Sequence, residues 1–145
     1  MNAPNPKDLL AKVITRVHRT VYDVSGGRIG GELLKMPVLK LTTVGRKSGE
    51  RRTTMLTAAH LMGGSVVIVA SYGGDDRHPN WYLNLVANSD VELEMRSEKR
   101  PMRARVTKGD ERARIWSEII RTHTNYADYQ RRTEREIPVV VLDPR

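Results

Sequence analysis

From Pro37 onward the chain reads as a train of strands, with too few helices between them for regular β-α-β alternation. VELEMR (91–96) and PMRARV (101–106) alternate apolar and charged residues on either side of a turn, SEKR. A period of two sets one face on a core and the other in water, the mark of an antiparallel hairpin. SVVIVAS (65–71) and IPVVVLDP (137–144) are continuous apolar runs suited to buried strands. PVLKLTTV (37–44) and RTTMLTAAHL (52–61) complete the set, the second reversing at Gly63-Gly64. Six mostly antiparallel strands predict a mainly β, α+β domain, a small barrel or roll rather than a Rossmann sheet.

Helical signals flank these strands. Leu9, Leu10, Val13, Ile14, Val17 and Val21 form an apolar stripe over residues 7–24, with Lys12, Arg16 and Arg19 off it. SGGRIGG (25–31) ends that helix in a flexible joint. The expected organisation is a tail, amphipathic helix and glycine-rich joint over 1–36, then one barrel domain over 37–145. A basic amphipathic helix either packs on its own domain or lies on an anionic membrane surface. WYLNLVAN reads as a short helix opening at Pro79, and Asp110 as the cap of a helix through Ile115, Trp116, Ile119 and Ile120. No run approaches the ~20 apolar residues of a membrane span, and no secretion signal is expected. Cysteine is absent, which excludes a disulfide framework or thiolate metal site and fits a reducing cytoplasm. The expected location is cytoplasmic, with peripheral contact at the inner face of the membrane if the helix binds lipid.

The net charge of +8 is unevenly spread: the first 52 residues hold 11 of the 25 Lys and Arg but only 4 of the 17 Asp and Glu. Such a localised field suits an anionic ligand, a nucleic acid or an anionic membrane. Its centre is LTTVGRKSGERRTTML (41–56). GRKSG fails as a phosphate-binding P-loop, because Arg46 and Leu41 stand where that motif needs glycine. The local chemistry is still suited to anions. Gly45 and Gly49 let backbone amides turn outward, Arg46, Lys47 and Arg52 bring charge, and Ser48 and Thr53 add donors. A charged surface turn would have the same spacing.

Two further clusters stand out. In SYGGDDRHPNWYLNL (71–85), Gly73-Gly74 permits close backbone approach to something bound, and His78, Trp81, Tyr82 and Asn84 fall within two helical turns. Trp81 serves equally as a core anchor, and His78 has no partner at metal-ligand spacing. In HTNYADYQRRT (123–133), Tyr126 and Tyr129 share a helical face with His123 one turn earlier. These rings suit either a pocket for a planar substrate or the polar end of core packing. The seven Trp and Tyr are too scattered for a nucleic-acid stacking platform, so no nucleic-acid partner is expected.

Together PVLKLTTVGRKSGERRTT, VVIVASYGG, HPNWYLNLVAN, YADYQRRT and IPVVVLDP resemble the deazaflavin-dependent nitroreductase family, actinobacterial proteins with a split β-barrel. The resemblance implies an oxidoreductase that passes hydride from reduced coenzyme F420, an 8-hydroxy-5-deazaflavin with an acidic tail, to an electron-poor small molecule. FMN, bound by related split barrels, is the alternative cofactor. By resemblance, Lys47 and Arg52 hold the cofactor's phosphate and acidic tail with Arg46 and Ser48 nearby, Val69, Ala70, Ser71, Gly74, Trp81 and Asn84 border its ring and linker, and Thr53, Thr54 and Met55 also belong to the cofactor site. Ser71, Tyr126 and Tyr129 are the implied catalytic hydrogen-bonders, and Thr57 and His123 join them around the acceptor. Met55, Thr57, Ser89 and His123 depart from common family residues, so nitroimidazole activation does not carry over, and the implied acceptor is an electron-poor quinone, activated enone or nitroaromatic, quinones and enones favoured.

Overall fold

The computed structural model describes residues 36–145; of the expected N-terminal unit only Met36 is among them, and the expected helix over 7–24 and glycine joint lie outside. Seven strands form one antiparallel sheet: β1 (Val38–Val44), β2 (Arg51–Thr57), β3 (His60–Met62), β4 (Ser65–Val69), β5 (Asp90–Met95), β6 (Glu98–Val106) and β7 (Val139–Pro144). Their spatial order is β2-β1-β5-β6-β7-β4-β3. The helices are α1 (Asn80–Ala87), α2 (Gly109–Thr122) and α3 (Asn125–Arg131), with a single 3-10 turn at Tyr72–Gly74. None of the described helices is long and apolar enough to cross a membrane.

The seventh strand corrects the expected six. RTTMLTAAHL is not one strand but two, broken at Ala58-Ala59. The Ala58 N–H donates to Pro37 O (2.8 Å) and the Ala59 N–H to Val67 O (2.9 Å). In one step the backbone leaves the β1 edge and joins β4. Both alanines are 3% exposed, and their small side chains allow so sharp a corner. Since β2 and β3 end the sheet yet adjoin in sequence, the sheet must curl until its ends meet. The result is a barrel split between its two edges.

The curl sorts side chains by parity. Leu39, Leu41, Val66, Ile68, Val91, Leu93, Met102, Ala104, Val140 and Leu142 face the interior, where Trp81 and Leu85 from α1 join them. The opposite face of β4 and β7 presents Val67, Val69, Val139 and Val141 to Ile115 and Ile119 of α2 and Tyr126 of α3. Apolar residues on both faces explain the unbroken apolar runs of these two strands, while β5 and β6 carry charges outward and alternate.

Two local expectations shift. The β5–β6 reversal is only Arg96-Ser97, both left-handed (φ 53° and 66°), so Glu98 already belongs to β6. Asp110 does not cap α2; it lies in the first turn, after Lys108, where its charge still suits the helix dipole.

Removing interior volume should be costly where relaxation is blocked. Leu142→Ala is expected to lower unfolding free energy by about 2–5 kcal/mol in urea titrations. Leu61→Ala, at a side chain 49% exposed, should change it by less than about 0.5 kcal/mol.

Candidate active site

The basic hairpin between β1 and β2 is held by its own backbone. The Gly45 N–H donates to Glu50 O (2.7 Å) and the Gly49 N–H to Gly45 O (2.8 Å), with Gly49 left-handed at φ 74°. Ser48 Oγ accepts from the Glu50 N–H (3.1 Å) and would stand 2.7 Å from a side chain at Gly45. Arg46 bends back toward α1. Its N–H (3.2 Å) and Nη1 (2.9 Å) both donate to Asn84 Oδ1, and Nη2 reaches Asn80 Oδ1 (3.4 Å). Asn84 is buried and gives Nδ2 to Thr43 Oγ1 (3.4 Å). Arg46 and Asn84, both expected at the cofactor, thus clamp the hairpin to the helix.

The other cations stay outward. Lys47 is exposed and has no ion pair among the described residues. Arg52 meets Glu50 at 3.3 Å, and Arg51, which sequence reasoning passed over, meets Glu92 at 3.3 Å. Exposed pairs like these contribute little and yield readily to a competing anion. Thr53 is exposed, Thr54 half-buried, and Met55 is buried against Val38.

After β4 the chain enters an unusual turn. Ala70 is buried, with its N–H on Pro138 O (3.0 Å). Ser71 is right-handed, but Tyr72, Gly73 and Gly74 are all left-handed (φ 49°, 66° and 84°). A tyrosine there carries strain that surrounding contacts must offset. The close approach expected at Gly73-Gly74 is made, at Gly74, to α3: an added Cβ would lie 2.8 Å from Tyr129 O and 2.9 Å from Arg132 Cβ.

Arg135 braces this turn. Nε donates to Asp75 O (2.8 Å), Nη2 to Ser71 O (2.9 Å) and Ala70 O (3.2 Å), and Nη1 to His78 Nδ1 (3.2 Å). Arginine can only donate, so His78 accepts at Nδ1 as a neutral imidazole. Burial, then the Arg135 charge, lowers the His78 pKa in keeping with that state. The His78 ring lies 4.7 Å from Tyr82. Sequence reasoning missed Arg135; its one signal is a charged residue just ahead of a buried strand.

Tyr126 projects from α3 into the buried space beside the Ala58-Ala59 corner. Its hydroxyl lies 3.1 Å from Thr57 Oγ1 and 3.7 Å from Met36 Sδ, and its ring meets Tyr129 edge-on at 6.0 Å. Burial pushes the Tyr126 phenol pKa up, and the Thr57 hydrogen bond opposes this in part. Thr57 of β2 and Tyr126 and Tyr129 of α3 are therefore together, and α3 packs by the Tyr129 carbonyl against Gly74 of the turn that follows Ser71. His123 ends α2 through its N–H on Ile119 O (2.8 Å), and its ring makes no hydrogen bond among the described residues. Trp81 is a barrel-core anchor, 8% exposed.

No group of three or more metal-ligating side chains occurs among the described residues. An open concavity of about 490 Å³ is lined by Asp76, Arg131, Arg132, Thr133, Glu134 and Arg135. All six lining residues are polar or charged in type.

Comparison with known proteins converges on one group. The family model described as F420H(2)-dependent quinone reductase matches residues 14–144. An F420H(2)-dependent quinone reductase of Mycobacterium tuberculosis is 41% identical over 136 residues, 91% of each chain. The solved F420-H2 dependent reductase FDR-A is 37% identical at a TM-score of 0.67, covering 74% of this chain and 94% of that one. A structure described as a domain-swapped dimer is 33% identical at a TM-score of 0.69, covering 96% and 100%. The match spans nearly the whole sequence, and the chain belongs to the F420H(2)-dependent quinone reductase family.

Proposed function

We propose that the protein reduces quinones with F420H2, holding the cofactor's acidic tail on the β1–β2 hairpin and the acceptor beneath α3. The observation that carries this reading is the division of labour in the hairpin: Arg46 is spent on the Asn84 clamp, while Lys47, Arg51 and Arg52 remain outward. That donor set fits a polyanion. When bound, reduced F420 supplies a hydride from C5.

The protein's own residues supply position and electrostatics. Lys47 and Arg52 attract the tail, and the clamp fixes the hairpin before the ligand arrives. Tyr126 is a neutral phenol at physiological pH, as an ordinary tyrosine is, and burial holds its pKa higher still. The Thr57 and Tyr126 hydroxyls, 3.1 Å apart with either able to donate, offer a proton to stabilise charge growing on a quinone oxygen. Tyr129, half-buried on the same helix, and Ser71, on the turn that packs there, complete the hydrogen-bonding set around the acceptor.

Lys47→Ala and Arg52→Ala should each weaken F420 binding about five- to tenfold in fluorescence titrations at low salt, and less at high salt as screening grows. Equal affinity for all three proteins would remove the hairpin from the site. Asn84→Ala removes no charge yet should weaken binding by a comparable factor through loss of the clamp.

Tyr126→Phe is expected to cut kcat for menadione about ten- to a hundredfold with little change in F420 affinity. Its stability should also respond to pH. The raised Tyr126 pKa means the folded state keeps its proton longer than the unfolded one. That contribution is full below the ordinary tyrosine value of 10.0 and is lost as pH climbs through the folded value. Urea titrations above that pH should therefore show a shallower decline in Tyr126→Phe than in the parent protein.

A further inference from the structure

We infer that Arg135 is a positioning residue that locks the Ser71 turn to helix α3, setting the serine in register with Tyr126 and Tyr129; the inference rests on the reductase reading above. One guanidinium meets four acceptors from residues 70 to 78: the carbonyls of Ala70, Ser71 and Asp75, and His78 Nδ1. These acceptors belong to a turn whose left-handed Tyr72 needs outside support.

Arg135 is in turn tied to α3. Gln130 Nε2 donates to Arg135 O (2.7 Å), and Gln130 Oε1 accepts from the Ile137 N–H (2.9 Å). The Arg135 N–H reaches Thr133 Oγ1 (3.3 Å). A second arginine works alongside: Arg132 donates through Nη1 to Gly73 O (3.2 Å) while its guanidinium lies 5.4 Å over the Tyr129 ring. The turn thus faces α3 with carbonyls, and the segment following Tyr126 and Tyr129 faces back with arginines. The two catalytic elements form one unit, with Gly74 seated against the Tyr129 carbonyl.

The fork, rather than the charge, makes the lock. Three nitrogens of one planar group point at separate acceptors, whereas a lysine ammonium is a single point on a flexible stem. Losing the fork strands several partly buried carbonyls and frees the turn to relax from its left-handed course. Arg135 touches none of the outward cations of the hairpin, so its main effect falls on acceptor geometry rather than on capture of the cofactor tail.

The test begins with hydrogen exchange on the free protein, which needs no cofactor. In Arg135→Lys, amides of residues 70–75 and of α3 should exchange at least tenfold faster together, with those of β4 and β7 unchanged. Kinetics with F420H2 and menadione should show kcat reduced about ten- to a hundredfold and the F420 dissociation constant raised no more than threefold. Ethylguanidinium should restore turnover to Arg135→Ala, and ethylammonium should not. Unchanged exchange in Arg135→Lys, wild-type kcat in that variant, or equal rescue by both cations would overturn the inference. Should Arg135→Lys fail to fold, Gln130→Ala must show the same paired exchange signature, and its absence counts against the lock. If the parent protein neither binds nor oxidises F420H2, the reductase reading fails, and the exchange result still decides whether Arg135 joins turn and helix.

Discussion

Two adjacent backbone amides shape this molecule: Ala58 bonded to the residue that leads into β1, and Ala59 bonded to β4. They occupy opposite ends of a seven-stranded order, so a single corner forces the ends of the sheet together. Thr57 and Tyr126 lie close to that join, while the basic hairpin sits at the other end of β2. Thr57 ends β2 beside it, and Tyr126 descends from α3 to reach Thr57. β3 leaves the corner, and β4 runs back past it to end at the turn containing Ser71. An uncurled sheet with the same pairings would leave Thr57 and α3 on distant elements. Larger side chains at Ala58 and Ala59 would press on a space already closed to solvent.

Much of the fold could be read directly because it rests on periodicity. Apolar runs mark β4 and β7, which have packed layers on both faces; alternation marks β5 and β6, which do not. The corner escaped because no glycine or proline announces it. Its two alanines read as an ordinary continuation of a strand, and only the curl of the whole sheet makes them a break. The Asp110 cap was misplaced by two positions for a related reason: Lys108 supplies a cap position without a side-chain bond.

The residue types of the site were legible, and the contacts each makes within the fold were not. Arg46, Asn84 and Gly74 were visible as polar or glycine residues in the right blocks. Which group each would meet depended on contacts 38 to 58 positions away in sequence, and those contacts are with protein. Arg46 and Asn84 satisfy one another, Gly74 makes room for α3, and Trp81 anchors the core. Tyr126 and Thr57 meet across 69 positions. Arg135 shows the limit most clearly, since the four acceptors it meets lie 57 to 65 positions earlier in the sequence.

Several of the arginines behind the formal charge of +8 are engaged within the fold. Arg132 and Arg135 donate to the carbonyls of one turn, Arg112 to Ile137 O at 2.6 Å, and Arg145 to Met102 O at 2.8 Å. Arg105 lies between Asp143 and Glu111. These cations act as multivalent donors holding irregular backbone, a task for which the guanidinium fork is well shaped. A long-range attraction for acids must come from charges left in solvent, and the hairpin supplies Lys47, Arg51 and Arg52 within a few residues of one another. Because Asn84 holds Arg46 down, those three are displayed from a fixed platform, and less conformational entropy remains to be lost when an anion arrives.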